Sequence, residues 1–377
     1  MASSQRGTAR MIDRTKIEEV SVSAYTVPTD APESDGTLTW DKTTMVLVEV
    51  RAGGSTGLGY TYADMGTAAF ARNTLVPLVM GHDPMDIPSL WAEMYRQVRN
   101  LGQTGMAAMG ISAVDNALWD LKAKLLEVSL VTLLGGVRPE TPIYGSGGFT
   151  SYSDKQLERQ FADWVEQGIP RVKMKVGREP ELDSKRVASA RRTIGNHAEL
   201  FVDANSAYDR KSALYYIQRF AEEFDVRWME QPLPPEDRTG MRFLRERAAA
   251  HVDIADGEYG YDLPYFREMI ESGAVDVVMA DATRCCGISG FLKVAALCES
   301  WCIPLSSHCA PLLHLHPGCA VLPFRHAEYF HDHVRIERMF FEGFPEPVNG
   351  SLKPDRSRPG LGIAFRRADA EPYRQHF

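Results

Sequence analysis

From residue 142 onward, short apolar runs alternate with amphipathic stretches, and the alternation repeats until eight runs have passed. The runs lie at 144–149, 171–176, 200–202, 226–229, 252–255, 275–279, 303–305 and 326–330. Short, mostly apolar runs suit strands covered on both faces, as in a parallel sheet. The stretches between them carry helix signals. Ser153 with Gln156 three residues later reads as a capping box, the helix runs to 167, and Gly168 suits the position past its end. Repeated βα units of this number, over about 200 residues, predict an α/β fold: a closed (β/α)8 barrel of modified TIM type. An open doubly wound sheet is the alternative, but no G-x-G-x-x-G marks a first βα turn.

The preceding 140 residues follow another pattern. Strands are expected at 17–25, 44–51 and 57–62, with a Pro-, Asp- and Gly-rich loop at 28–39. Helices are expected at 66–80, 87–99 and 106–126. Strands followed by helices describe an α+β domain. The expected division is therefore an N-terminal domain over 1–140, with 1–15 a loose tail, a barrel over 141–340, and a tail over 341–377.

Composition narrows the class. Lys plus Arg number 42 against 50 Asp plus Glu, a net charge of −8 that argues against a nucleic-acid partner. No apolar run is long enough to span a membrane, and the start is polar and basic without an apolar h-region, so export is not expected. All six cysteines fall between Cys285 and Cys319, without C-x-x-C spacing. They are expected to pack as small apolar residues in a reducing cytoplasm.

In such a barrel the active site lies at the C-terminal ends of the strands. Those ends carry Lys173 and Lys175, then Asp203, Glu230, Glu258, Asp281 and His308, and the last strand carries Glu328. From Lys175 the spacings are 28, 27, 28, 23, 27 and 20 residues, about one βα unit each. Taken alone, each acid could be a helix cap or a solvated loop residue; the recurrence at one edge is what points to a site. Lys173 and Lys175 share a strand face, because side chains alternate, and Val172, Met174 and Val176 are left to face the helices.

Asp203, Glu230 and Glu258 sit on consecutive strands and suit a hard cation such as Mg²⁺. Zinc would favour His and Cys. Such a cation would stabilise charge developing on a substrate carboxylate while a base removes the adjacent proton. Lys175 can be that base if Lys173 and burial lower its pKa. Asp281 can fix the ring of His308, one strand on, as the group on the opposite side. His314 and His316 lack a metal-ligand spacing and are expected to pack.

The runs VKMKVG, VDAN, WMEQP, the GE of IADGE, ADATRCCGISG, SSH and AEYF resemble the mandelate racemase/muconate lactonizing enzyme family of the enolase superfamily. The likeness extends to 111–124 and 359–365. The resemblance implies a capping domain completed by the C-terminal tail, Mg²⁺ on Asp203, Glu230 and Glu258, and usually a homo-oligomer. It implies Lys175 and the Asp281–His308 pair as opposed acid/base groups, with Lys173 the electrostatic partner of Lys175. Glu328 would hydrogen-bond the substrate carboxylate or enediolate, and Asn205 would approach the substrate. Cap loops at 25–41 and 61–66 would close on the distal end. Tyr60 and Tyr62 could belong either to that loop or to the cap core. Two residues depart from the pattern. Asp256 could add a carboxylate near the metal or pair with Lys, and Cys286 stands where Gly is usual.

The chemistry expected is abstraction of the proton next to a carboxylate. Dehydration of an acid sugar to a 2-keto-3-deoxy acid is favoured, because the cap offers Thr26, Ser34, Asp35, Thr37 and Thr39 to a polyhydroxy substrate. Racemisation, epimerisation or cycloisomerisation shares the first step. A non-catalytic carboxylate-binding protein is the reading from another class.

Overall fold

The computed structural model describes residues 15–377. Apart from Thr15, the tail expected over 1–15 lies outside the described residues.

Three strands open the fold as an antiparallel meander: β1 (Glu19–Ser34), β2 (Thr39–Ala52) and β3 (Ser55–Tyr62). The helix Met106–Leu125 packs across them. Gly57 and Gly59 of β3 permit this approach. A Cβ at either would lie 2.2 or 2.3 Å from the carbonyl oxygen of Ala117 or Ala113. β1 runs well into the segment expected as a loop. Its ladder with β2 shifts register between Pro28 and Glu33, then resumes with Glu33 opposite Trp40. Proline lacks an N–H for the ladder, and a bulge absorbs it.

Eight parallel strands close the barrel: β4 (Thr141–Gly147), β5 (Arg171–Lys175), β6 (Glu199–Asp203), β7 (Val226–Glu230), β8 (Asp253–Asp256), β9 (Val277–Ala280), β10 (Leu305–Ser307) and β11 (Phe324–Phe330). β11 pairs with β4 and completes the ring, as the repeat predicts. The expected capping box at Ser153 and Gln156 is present, and Gly168 adopts φ +80° past the helix end. The helix expected at 237–250 is shorter, Arg238–Arg245. Helices Pro311–Ala320 and His331–Phe340 were not evident in the sequence.

Alternation sorts the barrel side chains. Val172, Met174 and Val176 join the large core between strands and helices. Tyr144, Phe201, Trp228, Ala255, Val277 and Met279 fill the interior. This plug makes a packed floor beneath the strand ends. At the C-terminus, Arg374–Gln375 adds a short strand to β1, and Leu361 N–H donates to Asp120 on the long cap helix.

Five cysteines are buried as expected; Cys302 is the exception, exposed at φ +53° in the turn before β10. All six are free thiols. His314 and His316 spend their ring nitrogens on backbone groups of Ala282, Cys309, Ala310, Val131 and Leu361, so both are structural. Among the described residues, no helix is long and apolar enough to cross a membrane.

Candidate active site

The parallel register brings the strand-end groups to one level, with Lys175 beside Asp203 and Asp203 beside Glu230. One ligand oxygen from each of Asp203, Glu230 and Glu258 lies within 4.8 Å of the others, and all three residues are buried. Glu258 Oε2 and Asn205 Oδ1 are buried without a hydrogen-bond partner. Three hard oxygen donors, one left unsatisfied, fit a divalent cation of the Mg²⁺ type.

The two lysines do different things. Lys173 is fully buried; its ammonium contacts Glu230 and lies 2.7 Å from Glu328 and 3.5 Å from Asp203. Burial pulls its pKa down, but Glu230 and Glu328 outweigh this and hold it well above the ordinary lysine value. Lys175 donates to Asp203 Oδ2 at 2.5 Å and reaches the cavity above. Burial again works downward, yet the Asp203 charge prevails and raises the Lys175 pKa. This corrects the expectation that Lys173 and burial would lower it: in the protein alone the nearest partner is an anion. Glu328 stays ionised against its burial because Lys173 faces it. Its oxygens accept from Ser146 and the Cys309 N–H at 2.6 and 2.7 Å.

His308 Nδ1 lies 2.8 Å from Asp281 Oδ2, the pairing expected from the sequence. Asp281 Oδ1 accepts from the Thr283 N–H at 2.7 Å, so both oxygens are committed. Burial would raise the Asp281 pKa; His308, His314 and Arg284 overcome it and hold the carboxyl below its usual range. His308 Nε2 lies 3.3 Å from Cys309 Sγ and 3.6 Å from Glu258 Oε2.

A cavity of about 310 Å³ opens over these groups, lined by Lys175, Asn205, Glu258 and His308 from the barrel and by Asp35, Trp40 and Lys42 from the cap. Asn205 reaches it from a left-handed turn at φ +44°. The two tyrosines divide. Tyr60 is core, its hydroxyl donating to Glu337 at 2.7 Å, whereas Tyr62 lines the cavity. Most of the expected polar cap groups are engaged elsewhere. The Thr26 hydroxyl meets Thr44, that of Ser34 meets Thr150, and Thr37 donates to the Asn205 carbonyl. Asp256 pairs with neither lysine; its Oδ1 accepts from the Gly257 N–H at 2.6 Å, and burial pushes its pKa up to about 8. Cys286 takes the left-handed φ of +63° that glycine favours, and its carbonyl accepts from Trp91 Nε1 of the cap. Arg284 and His333 also line the cavity. Arg284 lies within the motif run, three residues past Asp281; His333 had no spacing signal at all.

Residues 17–135 match the family described as mandelate racemase/muconate lactonizing enzyme, N-terminal domain, and 156–370 match enolase C-terminal domain-like. The chain is similar to L-talarate/galactarate dehydratase of Salmonella typhimurium, 33% identical over 85% of this chain and 82% of the relative. A crystal structure of a mutant L-talarate/galactarate dehydratase liganded with Mg and L-glucarate superposes with a TM-score of 0.89 at 29% identity, covering all of this chain and 95% of the other. The 3,6-anhydro-alpha-L-galactonate cycloisomerase of Streptomyces coelicolor is 33% identical over 93% of this chain and 98% of its own. A mandelate racemase/muconate lactonizing enzyme-like protein from Rubrobacter xylanophilus is 51% identical, with a TM-score of 0.94 over 96% of this chain and 100% of that one. With both halves matched and the strand-end residues gathered at one end of the barrel, the chain belongs to the mandelate racemase/muconate lactonizing enzyme family of the enolase superfamily.

Proposed function

We propose that this protein is a Mg²⁺-dependent acid-sugar dehydratase that forms a 2-keto-3-deoxy acid. One observation carries the reading: Lys175 and His308, the latter held by Asp281, line the same cavity beside the Asp203, Glu230 and Glu258 cluster. The named relatives supply the substrate class, since one is a talarate/galactarate dehydratase.

Asp203, Glu230 and Glu258 would hold Mg²⁺, which supplies Lewis-acid stabilisation of the negative charge that grows on the substrate carboxylate. Lys173 adds a fixed positive charge beside that cluster, and Glu328 holds Lys173 in place. Asn205 lines the cavity and would approach the substrate there. Lys175 or His308 takes the α-proton, according to the configuration of the acid bound. Lys175 must first give up its proton, and neutralising the Asp203 charge would weaken the pairing that now retains it. The carbon–oxygen bond at C3 then breaks as His308 donates a proton to the departing hydroxyl, releasing water. The resulting enol takes up a proton at C3 while its 2-hydroxyl loses one, and becomes the 2-keto acid.

The enzyme with Mg²⁺ should convert at least one acid in a panel that includes galactarate, gluconate, arabinonate and L-rhamnonate, detected as the semicarbazone of a 2-keto acid. EDTA should abolish the signal and Mg²⁺ restore it. Exchange of the α-hydrogen in heavy water without keto product would overturn dehydration. It would favour epimerisation or cycloisomerisation, the outcome the Streptomyces relative's name supports. Neither signal, with no thermal stabilisation by Mg²⁺, would leave carboxylate binding alone. The proposal extends to a cytoplasmic homo-oligomer with a cap (1–140), barrel (141–340) and returning tail (341–377); sedimentation measures the assembly.

A further inference from the structure

His333 faces the same cavity from the barrel side, and no part of the mechanism above uses it. It is the third residue of the helix His331–Phe340, which follows β11. Its Nδ1 accepts the backbone N–H of Ala310 at 3.3 Å. A neutral imidazole carries one ring proton, so a ring that accepts at Nδ1 carries it on Nε2. The ring cannot readily turn over. It lies flat on Tyr62, with centroids 3.4 Å apart and planes 9° from parallel, and meets Phe330 edge-on at 5.0 Å. Burial keeps its pKa well below the ordinary histidine value, so the ring stays neutral. Only 8% of the residue is exposed. Among the described residues, Nε2 has no hydrogen-bond partner, and it is not sealed off from solvent as the buried unpartnered atoms are.

We propose that His333 is a specificity-determining residue whose Nε2–H binds a substrate hydroxyl oxygen on the His308 side of the cavity. This rests on the dehydratase reading for the identity of the substrate, and on the local geometry alone for the donor. A neutral donor recognises an uncharged hydroxyl without drawing the substrate carboxylate away from the metal cluster. Ala310 is two residues from His308, so the same ring bonds the loop that carries the acid/base group. A hydroxyl gripped there is held in register with that group.

Two substitutions separate binding from structure. His333→Asn places an amide oxygen near the former Nδ1, keeps the bond to Ala310 and loses the far N–H. His333→Gln places an amide N–H near the former Nε2 and loses the bond to Ala310. With Mg²⁺ and whichever of galactarate, gluconate or L-rhamnonate the wild type dehydrates, His333→Asn should raise KM by about 5- to 100-fold with little change in Tm. His333→Gln should keep KM within about 3-fold although its Tm falls. If KM follows Tm in both variants, or is unchanged in His333→Asn, the proposal is overturned. The tautomer is read independently by imidazole ¹⁵N NMR. A protonated Nε2 between about pH 6 and 8 supports the donor, and a proton on Nδ1 refutes it. If no acid is dehydrated, the dehydratase reading fails, and the ¹⁵N result still decides whether His333 presents an N–H.

Discussion

Asp281→Asn tests the His308 half of the site with almost no change in shape. In the wild type both carboxylate oxygens accept hydrogen bonds, from Thr283 N–H at 2.7 Å and from His308 Nδ1 at 2.8 Å. An amide has one acceptor and one donor end. If the oxygen stays on Thr283, the NH₂ faces His308 Nδ1. The ring proton then moves to Nε2, and the nitrogen nearer the cavity can no longer accept. If the amide turns over, two donors face each other at Thr283, and a buried N–H left unpaired costs about 1–3 kcal/mol. Either way the negative charge that would stabilise a protonated ring is gone, and a hydrogen bond to a charged group is worth about 1.5–3 kcal/mol. Loss of that stabilisation alone slows the step by about 10- to 10²-fold, and a ring held in the wrong tautomer forfeits general acid/base help worth about 10²–10⁴-fold. The assay is the initial rate of 2-keto acid formation at saturating Mg²⁺, with α-hydrogen exchange in heavy water followed by NMR. Stabilisation by Mg²⁺ should persist, because Asp281 is not among the three clustered carboxylates. A kcat within about 3-fold of wild type would refute the reasoning.

Lys175→Ala should remove proton exchange on the opposite face, lowering that step by about 10²–10⁴-fold while thermal stabilisation by Mg²⁺ survives; full turnover would show that another group is the base. Glu33 is fully buried beneath the cap loop, accepts from Trp40 Nε1 at 2.7 Å, and burial raises its pKa to about 9 from 4.5. The folded state therefore binds a proton more tightly than the unfolded chain, so this group's contribution to stability is present below about pH 4.5 and lost as pH rises toward 9. Glu33→Gln should flatten that decline, measured as Tm against pH; parallel curves for the two proteins would contradict the linkage. Gly57→Ala would set a Cβ 2.2 Å from the Ala117 carbonyl, and should destabilise the cap by about 1–3 kcal/mol or more, seen as a lower Tm. An unchanged Tm would mean that the helix on β3 yields more easily than its packing implies.

Much of the fold was written in local pattern. The eightfold recurrence predicted the barrel because each βα unit carries its own strand and helix signals, and parallel strands need the crossovers that lie between them. The same recurrence located Asp203, Glu230, Glu258, Asp281 and His308, since register aligns the strand ends once the ring is closed. Alternation along β5 placed Lys173 and Lys175 on one face. Closure of the ring and docking of the cap decided what lies beyond local periodicity. They set Lys175 against Asp203 and so fixed its charge, sent Tyr60 into the core and Tyr62 to the cavity, and kept Asp256 from both lysines. They also laid His333 between Tyr62 and Ala310, partners far from it in sequence. A side chain's charge, tautomer and exposure depend on which groups surround it in space, and for these residues most of those groups arrive from distant parts of the chain.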